Sequence, residues 1–265
     1  VPQLEYHAIK LRKRGGVAEI ALDRPDALNA INLEMARDLM FAAMECDQDP
    51  EVRCVVLTGN GKAFCAGGDL GEFADAGETA PALLKELTSY LHAAISRFAR
   101  MDAPLIAAVN GVAAGAGMSL VCVSDLAFAS KSARFTAAYH NVGLTPDASC
   151  TYYLARLVGL RRAQEMLYTS RVLSADEAAE WGFINAALDD RDLPSQVNMI
   201  AERLALAPTW AIGRAKNLLL AGTNDTLETH MEHESRAISE ASRTHDFVEG
   251  IDAFLNKRKP QFSGT

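Results

Sequence analysis

The residues best suited to chemistry lie in two runs rich in glycine and alanine and in one acid that follows a proline. The first run is Ala63-Phe64-Cys65-Ala66-Gly67-Gly68-Asp69-Leu70, and the second is Pro104-Leu105-Ile106-Ala107-Ala108-Val109-Asn110-Gly111-Val112-Ala113-Ala114-Gly115-Ala116-Gly117. Each reads as a buried strand, a tight turn of small residues and the start of a helix. Small side chains let a ligand approach the backbone, and a helix start offers unpaired N–H donors with positive potential. The second run has no Lys or Ser/Thr of a P-loop and no dinucleotide fingerprint with the right spacing. Two such turns supply two converging N–H groups, the geometry of an oxyanion hole. Close packing of helix on sheet is the competing reading for either turn alone.

Asp147 is the outstanding acid. It follows Pro146 and precedes Ala148-Ser149-Cys150, at a loop-to-helix junction. Two readings stand side by side: a carboxylate entering a cavity as a base, or an N-cap for a helix over 148–157. His92 sits at the edge of an apolar helix face, where it serves structure or catalysis. His230 and His233 are spaced i,i+3 on a late helix without a carboxylate–histidine pattern beside them, so no metal site is expected.

The elements that must position these residues follow from periodicity. Strands are predicted over 7–10 and 17–22, joined by Gly15-Gly16, and over 53–58, 105–109, 125–129 and 133–136. Leu33, Met35, Leu39, Met40 and Ala43 recur at helical spacing over 31–46. Leu84, Leu87, Leu91, Ile95 and Phe98 do so over 81–101, and Asp69 is placed to cap a short helix. Beyond residue 148 almost only helices are expected: 148–157, 161–168, 174–181, 193–205, 211–221, 226–242 and 246–256. Strands alternating with helices imply parallel sheet with right-handed crossovers. The expected division is a core over 1–200 and a helical subdomain over 201–265.

The chain has 265 residues, a net charge of −8 and 49% apolar residues. This composition excludes a disordered or collagen-like chain. Its acidity argues against nucleic acid or an anionic membrane as partner. Residues 103–124 carry no charge, a length that spans a bilayer. Pro104, Asn110 and three glycines divide that stretch into strand, turn and helix instead. The five cysteines (Cys46, Cys54, Cys65, Cys122 and Cys150) form no CxxC pair and read as buried thiols of a cytoplasmic protein. The polar N-terminal run has no apolar core of a signal peptide.

Over nearly its whole length the chain resembles the crotonase (enoyl-CoA hydratase/isomerase) superfamily. The resemblance rests on Arg24-Pro25 with Asn29-Ala30, the two small-residue runs, Ala133-Arg134-Phe135 and Gly143-Leu144-Thr145-Pro146-Asp147. It continues through Leu154–Gly159 and Ala178–Gly182 to Phe254–Arg258. It implies an α/β crotonase (ClpP-like) spiral of ββα units with a helical C-terminal subdomain that forms trimers or dimers of trimers. It also implies an acyl-CoA thioester as substrate, no separate cofactor, and the N–H groups of Gly68 and Ala116 as the oxyanion hole. Each such donor is worth about 2.7–4 kcal/mol to a transition state. Arg24, Ala66, Lys257 and Arg258 fall at coenzyme A-binding positions.

Where the family's hydratases carry two glutamates, this chain has Ser119 and Tyr139, which are expected to line the acyl pocket. Neither hydroxyl is a base near neutral pH, so hydration is not expected. Gly111–Gly117, Gly143–Asp147 and the ending Lys259–Gly264 resemble the isomerase branch of the family, which implies double-bond isomerisation with Asp147 as the base. The alternatives are a 4-chlorobenzoyl-CoA-type dehalogenase, with Asp147 as nucleophile and His92 as its base, a hydratase as the family label says, and a non-catalytic acyl-CoA- or RNA-binding relative. Against the dehalogenase stand Gly68, where that branch carries an aromatic residue, and Tyr139, where it carries tryptophan.

Overall fold

The computed structural model describes residues 5–265, so the first four residues of the polar N-terminal run lie outside the described residues. Strands β1 (Ile9–Arg14) and β2 (Val17–Leu22) pair antiparallel across Gly15-Gly16, both at positive φ. Helix α1 (Leu33–Gln48) follows, with the Asn32 side chain accepting the Met35 N–H as its cap. The next turn of chain is β3 (Cys54–Gly59), β4 (Ala63–Cys65), α2 (Leu70–Ala76) and α3 (Ala80–Arg100). Then come β5 (Leu105–Val109), β6 (Val112–Ala114) and α4 (Ala116–Val123). Another turn supplies β7 (Leu126–Ser130), β8 (Arg134–Thr136), α5 (Cys150–Val158) and α6 (Leu160–Thr169). Strand β9 (Leu173–Ser174), α7 (Ala175–Glu180), β10 (Ala186–Leu188) and α8 (Leu193–Ala205) lead to the terminal helices α9 (Thr209–Ala221), α10 (Leu227–Ala241) and α11 (His245–Leu255).

After the β1–β2 hairpin, successive turns each give one strand to each of two sheets. The larger sheet has the order β1-β2-β3-β5-β7-β10 and the smaller β4-β6-β8-β9. All neighbours are parallel except β1 with β2 and β8 with β9. This is the ββα spiral with a helical C-terminal part that the resemblance implied. Strand alternation gives the larger sheet two buried faces. Val55 and Leu57 of β3 enter the main core with α1 and α3, while Cys54 and Val56 pack with Leu193, Val197, Ala201 and Ala205 of α8.

The terminal helices are tied back to the core by partly buried polar contacts. Arg53 donates from Nε to Thr209 Oγ1 (3.0 Å), from Nη1 to the Phe262 carbonyl (2.8 Å) and from Nη2 to the Ala207 carbonyl. Lys216 Nζ reaches the Phe98 carbonyl at 2.6 Å and Asp125 at 2.8 Å. The boundary expected after residue 200 falls inside α8, a single helix whose Ala201 and Ala205 belong to the sheet's second core. The chain turns away only after Ala205.

The uncharged stretch over 103–124 is β5, β6 and α4, and no helix among the described residues is long and apolar enough to cross a membrane. All five cysteines are buried free thiols. Three strands lie where the periodicity gave none: β6, within the expected turn, and β9 and β10, within the expected helical half. Each is only two or three residues long, too short for an alternation to register.

The spiral closes tightly where α4 passes β4. A Cβ on Gly117 would lie 2.2 Å from the Cys65 carbonyl oxygen, backbone that cannot move aside. Gly117→Ala is therefore expected to lower stability by about 1–3 kcal/mol or more, read from the urea midpoint. An unchanged midpoint would show that this approach is not under steric constraint.

Candidate active site

Strands β4 and β6 are parallel neighbours in the smaller sheet, so their C-terminal ends open side by side. From β4 the chain passes to Gly67 and Gly68, and from β6 to Gly115 and Ala116 at the start of α4. The two turns touch: a Cβ on Gly67, which sits at φ +106°, would come within 3.1 Å of the Ala114 carbonyl. Ile31 grips the first turn from below, its N–H donating to the Gly67 carbonyl (2.7 Å) and its carbonyl accepting the Asp69 N–H (3.0 Å). Among the described residues, no acceptor faces the N–H of Gly68 or of Ala116. Both residues line a cavity of about 410 Å³.

Asp69 caps α2 by accepting the N–H groups of Gly71 and Glu72, as its position in the sequence suggested. Its other oxygen takes Arg24 Nη1 at 2.8 Å. Burial alone would raise this carboxyl, but the Arg24 guanidinium and the two N–H groups outweigh it and hold it below its ordinary value. Arg24 Nη1 also donates to the Ala30 carbonyl at 2.6 Å. Through Nη1, Arg24, a coenzyme A-binding position by resemblance, clamps the loop that carries Gly68. Ala66 does line the cavity.

Asp147 lines the same cavity, on the side formed by the loop after β8, and is the one carboxylate among the described lining residues. The cap reading does not hold. Helix α5 begins at Cys150, its N-cap position is Ser149, and that residue makes no capping hydrogen bond. Ala148 and Ser149 stand at φ +52° and +63°, consecutive left-handed conformations in residues that resist them. Ser149 Oγ is buried with no hydrogen-bond partner among the described residues. Strain of this kind is kept where surrounding structure over-determines a turn, and it is concentrated at functional sites. The strained turn swings the Asp147 carboxylate off the helix end and toward Tyr139.

Tyr139 donates its hydroxyl proton to Asp147 Oδ1 at 2.6 Å, and Ser119 Oγ lies 2.9 Å from the same hydroxyl. An ionised carboxylate only accepts, so the Tyr139 proton goes to Asp147 and Ser119 donates to Tyr139. The result is a directed chain of hydrogen bonds, each polarising the next. Burial and then the Asp147 carboxylate push the Tyr139 phenol well above its ordinary value, so it remains a donor across the working pH range. Ser119, expected to line the acyl pocket, is fully buried behind Tyr139 and does not. Only Tyr139 reaches the cavity.

His92 occupies a different place from the one expected of a catalytic base. Its Nε2 accepts the Ala148 N–H at 3.1 Å, and its ring lines a second cavity, between α3, α5 and α9, of about 900 Å³. It supports the strained turn from behind. Arg258 is held by Glu249 (2.6 and 2.7 Å) and Asp252, so its charge is already matched, while Lys257 beside it is exposed at φ +52°. Phe73, Leu84 and Leu87 give the cavity an apolar wall that the motifs did not indicate. The helical stripe of α3 did carry Leu84 and Leu87, but as core positions. Phe73 covers Gly68, where a Cβ would come within 2.8 Å of its ring.

Comparison with known proteins agrees with this architecture. The family model described as enoyl-CoA hydratase/isomerase matches residues 12–265. The chain is 38% identical to 1,2-epoxyphenylacetyl-CoA isomerase of Escherichia coli K12, over 94% of this chain and 95% of that protein. It is 39% identical to 4-chlorobenzoyl coenzyme A dehalogenase-2 of an Arthrobacter species, over 95% of this chain and 91% of the relative. The crystal structure of an enoyl-CoA hydratase from Polaromonas sp. JS666 superposes with a TM-score of 0.92 at 32% identity, covering 97% of this chain and all of that one. Hydratase is the commonest name among its relatives. The chain belongs to the enoyl-CoA hydratase/isomerase family of enzymes, the crotonase superfamily.

Removing the Tyr139 hydroxyl leaves one lone pair of Asp147 without its partner, while Ser119 Oγ keeps the Gly115 and Asp147 carbonyls as acceptors (3.3 and 3.2 Å). Tyr139→Phe should therefore cost about 1–3 kcal/mol of stability, against about 0.5–1.5 kcal/mol for Ser119→Ala, which leaves the Tyr139–Asp147 bond in place. Urea titration of both variants checks the order. A Tyr139→Phe protein as stable as wild type would remove the chain from the account.

Proposed function

We propose that this protein is an acyl-CoA-transforming enzyme that shifts the double bond of an enoyl-CoA. The carrying observation is that Asp147 is the one carboxylate on the described walls of the cavity that also holds the Gly68 and Ala116 N–H groups. In this reading the thioester carbonyl sits on those two donors. Asp147 takes a proton from Cα, the negative charge spreads onto the thioester oxygen, and the same carboxyl returns the proton at Cγ. One base suffices because the two transfers occur on a single dienolate held in place. Tyr139 occupies Oδ1, leaving Oδ2 to face the substrate, and the apolar wall of Phe73, Leu84 and Leu87 keeps water from competing.

Hydration is the second reading, favoured by the commonest name among relatives. It asks one group to activate water and another to handle the Cα proton, and Ser119 and Tyr139 stand where the second acid is needed. The dehalogenase reading needs His92 beside the ring, whereas that imidazole is engaged by the Ala148 N–H and lines the other cavity. The decisive assay offers 3-enoyl-, 2-enoyl- and 4-chlorobenzoyl-CoA separately to wild type, Asp147→Asn and His92→Gln. Wild type should isomerise the first substrate, and Asp147→Asn should lower kcat by about 10²–10⁴. Undiminished isomerisation by Asp147→Asn would sink the proposed base. Faster hydration of 2-enoyl-CoA would favour the second reading, and chloride release dependent on both residues the third.

Assembly as a homotrimer or a dimer of trimers belongs to the same proposal. Leu219, Leu227, Ile238, Val248, Phe254 and Leu255 of the terminal helices are all more than half exposed. So much apolar surface on one subdomain marks a protein contact. In such an assembly Lys257 of a neighbouring subunit is offered to the phosphates of coenzyme A, and Arg258 stiffens the turn through its two carboxylates. Light scattering should give three or six times the 28.5 kDa chain mass. Phe254→Asp should lower it, and a monomeric wild type would contradict the assembly.

A further inference from the structure

The structure brings His230 and His233 together on one carboxylate of the loop before their helix. Asp225, in the loop between α9 and α10, turns its Oδ2 to both rings. It lies 3.4 Å from His230 Nδ1 and 3.0 Å from His233 Nδ1. The three ligand atoms all fall within 4.8 Å of one another. Donors about 2.0–2.1 Å from a tetrahedral zinc ion stand about 3.3 Å apart, so the two Asp–His separations bracket what such an ion requires. The opposite nitrogen of His230, Nε2, faces Glu234 Oε1 at 3.7 Å. A ligating imidazole is ordinarily oriented in this way, with its outer N–H turned to a carboxylate.

We propose that Asp225, His230 and His233 form a binding site for a divalent transition-metal ion, with Glu234 as the outer partner of His230. Two imidazoles and one carboxylate select zinc and its neighbours over calcium and magnesium, which take oxygen ligands. Three protein ligands leave a coordination position open. Asp225 also lines the 900 Å³ cavity, so water or a small anion can reach the ion from that side. The group lies outside the thioester cavity, on whose described walls none of its three residues appears. It joins the loop after α9 to the first turns of α10, a helix with no buried residue of its own. The ion therefore supplies a cross-link where packing is thin.

The alternative is a carboxylate that merely accepts two Nδ1–H bonds. Metal-stripped protein without a histidine tag distinguishes them. Zn²⁺ is titrated against a chromophoric chelator, and Co²⁺ is added separately and its visible d–d absorption recorded. One ion per chain is expected. His233→Ala, an exposed position that does not threaten the fold, and Asp225→Asn should each weaken Zn²⁺ binding by at least about 100-fold, and Glu234→Gln by about 10-fold. Circular dichroism confirms that the variants are folded. Zn²⁺ affinity that is the same in wild type and in the His230→Ala/His233→Ala double variant would overturn the site. So would a Co²⁺ spectrum indistinguishable from that of the hydrated ion.

Discussion

The close approach of two backbones governs the rest of this molecule. Where β4 runs beside β6 and α4 crosses above, Gly117 lies on the Cys65 carbonyl with no room for a side chain, and Gly67, at φ +106°, lies against Ala114 with little. Parallel pairing of β4 with β6 then fixes where both strands end, and the two turns beyond them must share one cavity wall. Replacing Gly117 with a larger residue would push the backbones apart before it altered any chemical group. The placement of the Gly68 and Ala116 N–H groups is thus a consequence of sheet register rather than of the loops themselves.

Around that fixed point the chain spends its polar side chains on orientation. Arg24 and Asp69 pin the Gly68 loop. Asn29, fully buried in a left-handed conformation, donates to the Asn60 and Ala63 carbonyls and accepts the Arg24 N–H. Ser119 and Tyr139 orient Asp147, and His92 supports the turn behind it. Each of these contacts satisfies a buried group that would otherwise cost stability, and together they leave a single ionisable carboxylate facing the cavity. Tyr139 holds one oxygen of Asp147, while the N–H groups of Gly68 and Ala116 face the cavity without a protein acceptor among the described residues, so the site is directional.

The sequence made the spiral legible because its long elements carry their own signal. Helix α3 shows an uninterrupted apolar stripe, and β5 a buried run between Pro104 and Asn110. Strands β6, β9 and β10 escaped because two or three residues of Ala, Val, Leu and Ser have no measurable period. The site was half legible. The two small-residue turns and Asp147 stood out by residue type and position, and the resemblance singled out Gly68 and Ala116 within the turns, but the environment of Asp147 was not legible. Nothing in Ala148-Ser149 announces two left-handed residues, and only the fold reveals that Ser119 sits behind Tyr139 instead of beside the substrate. The contact of Arg24 with Asp69 was hidden for a related reason: a cation near a binding loop looks the same in sequence whether or not it also meets a neighbouring carboxylate. Asp225 was missed because its link to His230 and His233 depends on a loop folding back on the helix it precedes.

The central claim is that Asp147 moves a proton at carbon next to the thioester. Its most direct measurement is exchange of the α-protons of a 3-enoyl-CoA into deuterated water, followed by NMR alongside ligand binding. Wild type should catalyse the exchange, and Asp147→Asn should bind the ligand with similar affinity while exchanging more slowly by about 10²-fold or more. Exchange at the wild-type rate in Asp147→Asn, with binding intact, would contradict the account.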